Sequence, residues 1–328
     1  MRAALLLVPC LALAQSADSR LIDVPPGADG SAQVPLTVIK GARPGPALGL
    51  VAGNHGYEYP PILALERLRA ELDPKQIRGT VYMVHIANVP AFLGRSPFVN
   101  PVDGKNLNRV YPGRKDGTLS ERIAWVITNE VIEQSDALLD LHGGDANESL
   151  RPYVYQTVTG KADIDAKTAA LARATLFDHI VIDRDRPSDP AKSIYCANTA
   201  TTRGKPAVTV ESGYLGTRDA ATVDRHVRAV LNVMKYLGML EGKAEESDHP
   251  VVLDPAEILE SPATGVMFPQ VERGQTVEKG ALLAYITDFF GRRIADIRAP
   301  FAGEVLYIIG TPPVNKGNPA VFVGAVKH

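Results

Sequence analysis

Ala47-Leu48-Gly49-Leu50-Val51-Ala52-Gly53-Asn54-His55-Gly56-Tyr57-Glu58 is an apolar run that ends at a glycine and leads into a histidine and a carboxylate three residues apart. The run reads as a buried strand over residues 47–52. A His-x-x-Glu pair where such a strand stops can bind zinc through one nitrogen and one oxygen. Few protein atoms then crowd the ion, which is the openness a catalytic zinc site requires. Two ligands do not make a site, so the reading depends on a third ligand and a base elsewhere.

The third ligand is expected in Leu138-Leu139-Asp140-Leu141-His142-Gly143-Gly144, where His142 closes a second apolar run. Ligands of open α/β sheets gather at the carboxyl ends of strands, and the two glycines suggest backbone room for a metal and a substrate. A third run, Val208-Thr209-Val210, ends in Glu211-Ser212-Gly213. A carboxylate there can take a proton from water and pass it to a leaving nitrogen. The polar loop 103–113 contains Asn108-Arg109, whose amide and guanidinium fork match a substrate carboxylate. Ser212 lacks the glycine frame of a nucleophile elbow, so serine hydrolase chemistry is not indicated.

Around these motifs, strands are expected at residues 34–40, 47–52, 79–86, 137–142, 179–183 and 207–211, alternating with helical patterns. This is the order of an α/β sheet flanked by helices. Val223, Val227, Val230, Leu231, Met234 and Leu237 form the apolar stripe of one helix, and Thr118-Leu119-Ser120-Glu121 is a capping box opening another. The polar stretch 241–248 marks a boundary between a catalytic domain at 15–245 and a small all-β, barrel-like domain at 246–328. Frequent turn signals separate the short β-type runs of the latter.

The 328 residues carry 35 basic and 37 acidic side chains, so no basic face suggests a nucleic-acid partner. Residues 1–14 read as a secretory signal ending Ala12-Leu13-Ala14, which implies a periplasmic or secreted protein. No later segment approaches the roughly 20 apolar residues of a membrane span. With that signal removed, Cys196 is the remaining cysteine and reads as buried filler. His85 and His226 read as packed or boundary residues, and His179 receives no role.

Taken together, Gly53-Asn54-His55-Gly56-Tyr57-Glu58, Asn106-Leu107-Asn108-Arg109, Asp140-Leu141-His142 and Glu211 resemble the succinylglutamate desuccinylase/aspartoacylase family of the zinc carboxypeptidase superfamily. The resemblance implies a zinc-carboxypeptidase-like mixed sheet and one zinc ion per chain held by His55, Glu58 and His142. It further implies Glu211 as general acid/base, and Asn108 with Arg109 as carboxylate binders. The activity it implies is amide hydrolysis by metal-activated water on an N-acyl amino acid or related small carboxylate, with Arg95 stabilising the oxyanion. Tyr214, three residues past Glu211, is a further candidate for substrate contact. Two positions depart from the pattern: Tyr57 stands where relatives often carry an acid, and Asn106 where an Asp often supports a ligand histidine. Asn106 can still accept a hydrogen bond through its side-chain oxygen, and Asp140 is a second candidate support. The C-terminal unit resembles biotinyl and lipoyl modules without a carrier lysine at its tip, and reads as a cover that narrows access to the site. A metallocarboxypeptidase acting on short peptides and a non-catalytic periplasmic binding protein are the alternatives.

Overall fold

Residues 15–247 and 249–327 are described by a computed structural model of the protein, and the signal reading of residues 1–14 lies outside them. Seventeen strands occur among these residues. In the first part of the chain they are β1 (Ser16–Asp23), β2 (Gln33–Lys40), β3 (Arg43–Ala52), β4 (Arg78–Val84), β5 (Ala137–His142), β6 (Glu148–Leu150), β7 (Tyr153–Thr157), β8 (His179–Asp183) and β9 (Ala207–Glu211). Beyond the polar stretch follow β10 (Val251–Glu260), β11 (Gly265–Pro269), β12 (Thr276–Val277), β13 (Leu282–Thr287), β14 (Arg293–Arg298), β15 (Gly303–Ile309), β16 (Pro313–Val314) and β17 (Pro319–Val326). The helices are α1 (Tyr59–Glu71), α2 (Val89–Gly94), α3 (Leu119–Ile127), α4 (Ala162–Ala174), α5 (Cys196–Thr202) and α6 (Ala220–Tyr236).

All six expected strands form, three of them with the expected bounds. The large sheet runs β1-β2-β4-β3-β5-β9-β7-β8-β10-β17-β15-β12, with β6 added on β15. At its centre β4, β3, β5 and β9 are mutually parallel, whereas β7 returns antiparallel beside β9. Parallel strands are covered on both faces, which is why β5 is buried at every position. Successive side chains point to opposite faces. Leu139 and Leu141 therefore join the apolar cluster beneath α1 and α6, and Leu138 joins the one beneath α3 and α5. The second face also receives Asp140 and His142, two and four residues beyond Leu138.

The expected capping box forms: Glu121 Oε2 accepts the Thr118 amide at 2.8 Å and opens α3, which continues through a π-helical turn over Thr128–Ile132. Arg122 on this helix is buried and donates to the Pro25, Gly117 and Gly30 carbonyls and to Asp29, fastening the segment between β1 and β2 onto the core.

The polar stretch 241–247 contains no helix or strand, and the chain then enters β10. This strand pairs in parallel with β8 and antiparallel with β17, so the large sheet continues from the first unit into the second. A four-stranded sheet, β14-β13-β11-β16, encloses the second unit's own core, including Met267, Leu283, Ile286, Val305 and Val323. A separate apolar seam of Leu150, Tyr153, Val181, Leu253, Leu306, Tyr307 and Phe322 joins side chains from both units. His179 sits at the same junction, with Nε2 3.0 Å from Glu304 Oε2 of β15 and beside Arg151. A residue left without a role in the sequence thus ties the units together. No described helix is long and apolar enough to cross a membrane.

Candidate active site

The chemistry-bearing residues sit at the carboxyl ends of three adjacent strands. Gly53, at φ +71, turns the chain off β3, a left-handed conformation that a side chain would strain. The turn delivers His55 and then Glu58, the N-cap of α1. Pro60 and Pro61 start that helix without needing the amide bonds its first turn lacks. Glu58 leaves the capping position unused and turns instead to the histidines. Its Oε1 lies 2.7 Å from His55 Nδ1 and its Oε2 2.9 Å from His142 Nδ1. Candidate ligand atoms from the three residues all lie within 4.8 Å of one another, and all three side chains are buried.

The outer nitrogens of both rings are held from behind. Asn106 Oδ1 stands 3.1 Å from His55 Nε2, and Asp140 Oδ1 stands 2.9 Å from His142 Nε2. Acceptors at both Nε2 atoms place the ring protons there and leave the Nδ1 lone pairs facing Glu58. Asn54 and Asn108 continue the network: Asn54 Nδ2 donates to Asp140 Oδ1 at 2.8 Å, and Asn108 Nδ2 lies 3.3 Å from Asp140 Oδ2. Glu58 Oε2 is buried, and with the His142 ring proton on Nε2 its neighbour at 2.9 Å, His142 Nδ1, gives it no hydrogen, which leaves the oxygen unsatisfied. Two convergent lone pairs and an unsatisfied carboxylate oxygen are the donor set a divalent cation takes.

Glu211 ends β9 directly opposite His142 in the β5–β9 register, and it lines the pocket. Burial pushes its carboxyl well above the ordinary range; His142 opposes this, while the charges of Glu58, Glu148 and Asp140 add to it. His226, read in sequence as a boundary residue, is buried with Nε2 2.8 Å from the Ser212 carbonyl, and so anchors the turn just past Glu211. The glycines after His142 serve a different purpose from the one expected. A Cβ at Gly143 would meet the Ser212 carbonyl oxygen at 2.6 Å, and one at Gly144 would meet the Glu148 carbonyl oxygen at 2.6 Å. They are small so that the backbones after β5 and β9 can touch, which keeps His142 and Glu211 side by side.

The pocket beside these residues has a volume of about 630 Å³ and takes its walls from both units, with Tyr307, Ile309 and Asn318 contributed by the second. Arg109 lines it, its guanidinium 4.5 Å from the centre of the Tyr195 ring. Arg186, which the sequence reading missed, lies 3.6 Å from the same ring and is ion-paired with Asp183. Glu148 was missed as well.

This geometry accompanies a clear relationship to known proteins. Residues 44–237 match the succinylglutamate desuccinylase/aspartoacylase catalytic domain. The chain belongs to that family. This desuccinylase/aspartoacylase relative is 30% identical over 274 residues to the N-alpha-acetyl-L-2,4-diaminobutyric acid deacetylase of Halomonas elongata, covering 82% of this chain and 78% of that one. Its fold matches a succinylglutamate desuccinylase from Silicibacter sp. with a TM-score of 0.85 and 25% identity over 98% of both chains. It also matches the product-bound ectoine utilization protein EutE (DoeB) of Ruegeria pomeroyi, with a TM-score of 0.84 and 26% identity over 94% and 95% of the two chains. The mixed sheet, the flanking helices and the separate C-terminal sheet are those of this deacylase family.

Within this family member the structure gathers His55, Glu58, His142, Glu211, Asn108 and Arg109 at one pocket. Asn108 is nevertheless committed elsewhere: its Oδ1 accepts the Cys196 amide at 2.7 Å and its Nδ2 faces Asp140 and His142, so it holds the scaffold instead of a substrate carboxylate. Arg95 is not brought in. It caps the end of α2 at φ 49, exposed and outside the residues that line the pocket. Tyr214 also stays outside, because the chain turns at Gly213 and the ring packs 3.7 Å from the Arg273 guanidinium of the second unit. Cys196 is buried, and burial drives its thiol well above the ordinary value, as suits a packing residue.

Proposed function

We propose that this family member is a zinc-dependent amide hydrolase that removes the acyl group from a small N-acylated amino acid, with one zinc per chain at His55, Glu58 and His142. The observation that carries the proposal is the paired anchoring of both imidazoles, which aims two Nδ1 atoms and the unsatisfied Glu58 oxygen at one point. Zinc bound there would polarise the acyl carbonyl and acidify a water. Glu211, beside His142, takes the proton of the attacking water and returns it to the leaving nitrogen. Arg109, braced on the Tyr195 face and by its bond to the Asn108 carbonyl at 2.8 Å, binds the substrate carboxylate.

The relatives support a small substrate. The deacetylase of Halomonas elongata is named for an N-acetylated diamino acid, and a pocket of about 630 Å³ walled by both units suits a molecule of that size. We also propose that the protein is exported, which N-terminal sequencing of the mature protein from its source tests. The functional test is hydrolysis of N-acyl amino acids and short peptides by zinc-loaded protein, with Glu211→Gln beside it. The expected result is release of the acyl acid, near-complete loss of turnover in the variant, and retention of its zinc. Release of C-terminal amino acids from peptides alone would instead establish a carboxypeptidase.

A further inference from the structure

Four carboxylates line the pocket: Glu58, Glu148, Asp183 and Glu211. Three have evident occupations. Glu58 faces two imidazoles, Asp183 is ion-paired with Arg186, and Glu211 lies against His142 at the strand ends. Glu148 has no basic partner among the described residues, and the backbone amide of Asp145, at 3.1 Å from its Oε2, is the hydrogen bond it accepts.

The position of Glu148 is nonetheless fixed. Its strand β6 pairs with β15 so that Glu148 opposes Ile309, and its carbonyl accepts the Leu215 amide at 2.8 Å. Burial, countered by the Asp145 amide and reinforced by the charges of Glu58 and Asp145, pushes its carboxyl up to about 7. Among the pocket's cations, Arg186 is already paired, whereas Arg109 has no carboxylate partner among the described residues. Tyr307, reaching in from β15, lines the same pocket as Glu148 and Arg109. The pocket therefore offers one uncommitted guanidinium and one uncommitted carboxylate, the complement of a ligand carrying a carboxylate and a separate cationic group.

We infer that Glu148 is a specificity-determining residue, receiving the side-chain ammonium of an N-acylated diamino acid whose carboxylate is held by Arg109. The inference rests on the proposed deacylase reading and narrows its substrate class. The acylated α-nitrogen is neutral and cannot supply this charge, so the cation must come from the side chain. A hydrogen bond to a charged group in a partly dry pocket discriminates by about tenfold to a hundredfold.

The test compares N-α-acetyl-2,4-diaminobutyrate with N-acetylnorvaline, which replaces the ammonium by a methyl group, and with N-acetylglutamate, which reverses the charge. Zinc-loaded wild-type protein is expected to favour the first over the second by at least about tenfold in kcat/KM, and to disfavour the third. Glu148→Gln should reduce the ratio of the first two to below about threefold, mainly through KM, and Glu148→Asp should restore part of it. A merely structural role would lower both rates together and leave the ratio intact, which would overturn the inference. Hydrolysis of all three without preference, or preference for N-acetylglutamate, would overturn it while leaving the deacylase reading standing. Failure to hydrolyse any N-acyl amino acid would instead defeat the deacylase reading on which it depends.

Discussion

Replacing Asp140 by Asn removes one charge and one acceptor from the centre of the network that holds His142. In the protein, Asp140 Oδ1 receives His142 Nε2 at 2.9 Å and Asn54 Nδ2 at 2.8 Å, and Oδ2 faces Asn108 Nδ2 at 3.3 Å. All three neighbours point donors at it. An asparagine has one acceptor and one donor end, so in either orientation its NH2 group meets a donor. The neighbours cannot flip to relieve this: the Tyr111 hydroxyl donates to Asn54 Oδ1 at 2.9 Å, and the Cys196 amide to Asn108 Oδ1 at 2.7 Å. The favoured orientation keeps the bond to His142 and sacrifices the weakest contact, while the lost charge makes the imidazole a poorer donor to metal. Altered outer partners of metal-bound histidines typically cost ten- to a hundredfold in affinity, or about 1.4 to 2.7 kcal/mol. Competition of apo protein against a chromophoric zinc chelator measures this directly, with circular dichroism checking that the variant folds. A folded Asp140→Asn protein binding zinc within about twofold of wild type would refute the assignment of Asp140 as the support of a metal ligand.

Three further outcomes are expected. Gly143→Ala would press a Cβ to 2.6 Å from the Ser212 carbonyl oxygen, costing about 1 to 3 kcal/mol of stability; it should also reduce turnover more than tenfold by parting His142 from Glu211, as thermal melts and initial rates would show. The Glu121 carboxyl is lowered to about 2: burial opposes the shift, but the Thr118 amide, Arg114 and Lys105 outweigh it. Its folded value lies below the unfolded one, so its contribution is full above about pH 4.5 and fades as the pH falls toward 2. A shift from 4.5 to about 2 corresponds to roughly 3 kcal/mol, which solvent screening at this surface site reduces to about 1 to 2 kcal/mol. Urea titrations of Glu121→Gln should show that loss near neutral pH and a narrowing gap in acid. Tyr195→Leu removes the ring that braces both Arg109 and Arg186, and steady-state kinetics should show KM rising several-fold to about thirtyfold with a smaller change in kcat.

The strands that carry His142 and Glu211 were legible because buried parallel strands leave unbroken apolar runs, and a polar residue at the end of such a run stands out. Legibility failed wherever nearness in sequence stood in for nearness in space. Arg95 and Tyr214 lie beside motifs, yet a left-handed cap and a turn at Gly213 carry them off the pocket. Glu148 and Arg186 lie in polar segments without periodicity, where a charged residue looks like any solvated one. Their roles emerge only when β6 docks on β15 and when Arg186 settles on Tyr195. Tyr307 reaches the pocket from the second unit, and the apolar pattern of β15 gave no sign that one of its side chains would line the same pocket as His142 and Glu211. The short acid-rich run Asp145-Ala146-Asn147-Glu148 just after the His142 glycines was the available signal for Glu148. Asp140 and Asn106 were recognised as possible supports, and the structure places Asp140 on the His142 imidazole and Asn106 on that of His55.

The parallel pairing of β8 with β10 has a consequence for anyone dissecting the protein. Cutting the chain in the polar stretch before β10 would strip β8 of the partner that satisfies its outer backbone groups, and it would uncover the apolar seam around Val181 and Tyr153. An open, flat, apolar strand edge recruits other chains. The first 245 residues expressed alone should therefore associate through that edge, which β10 of the second unit covers in the full chain.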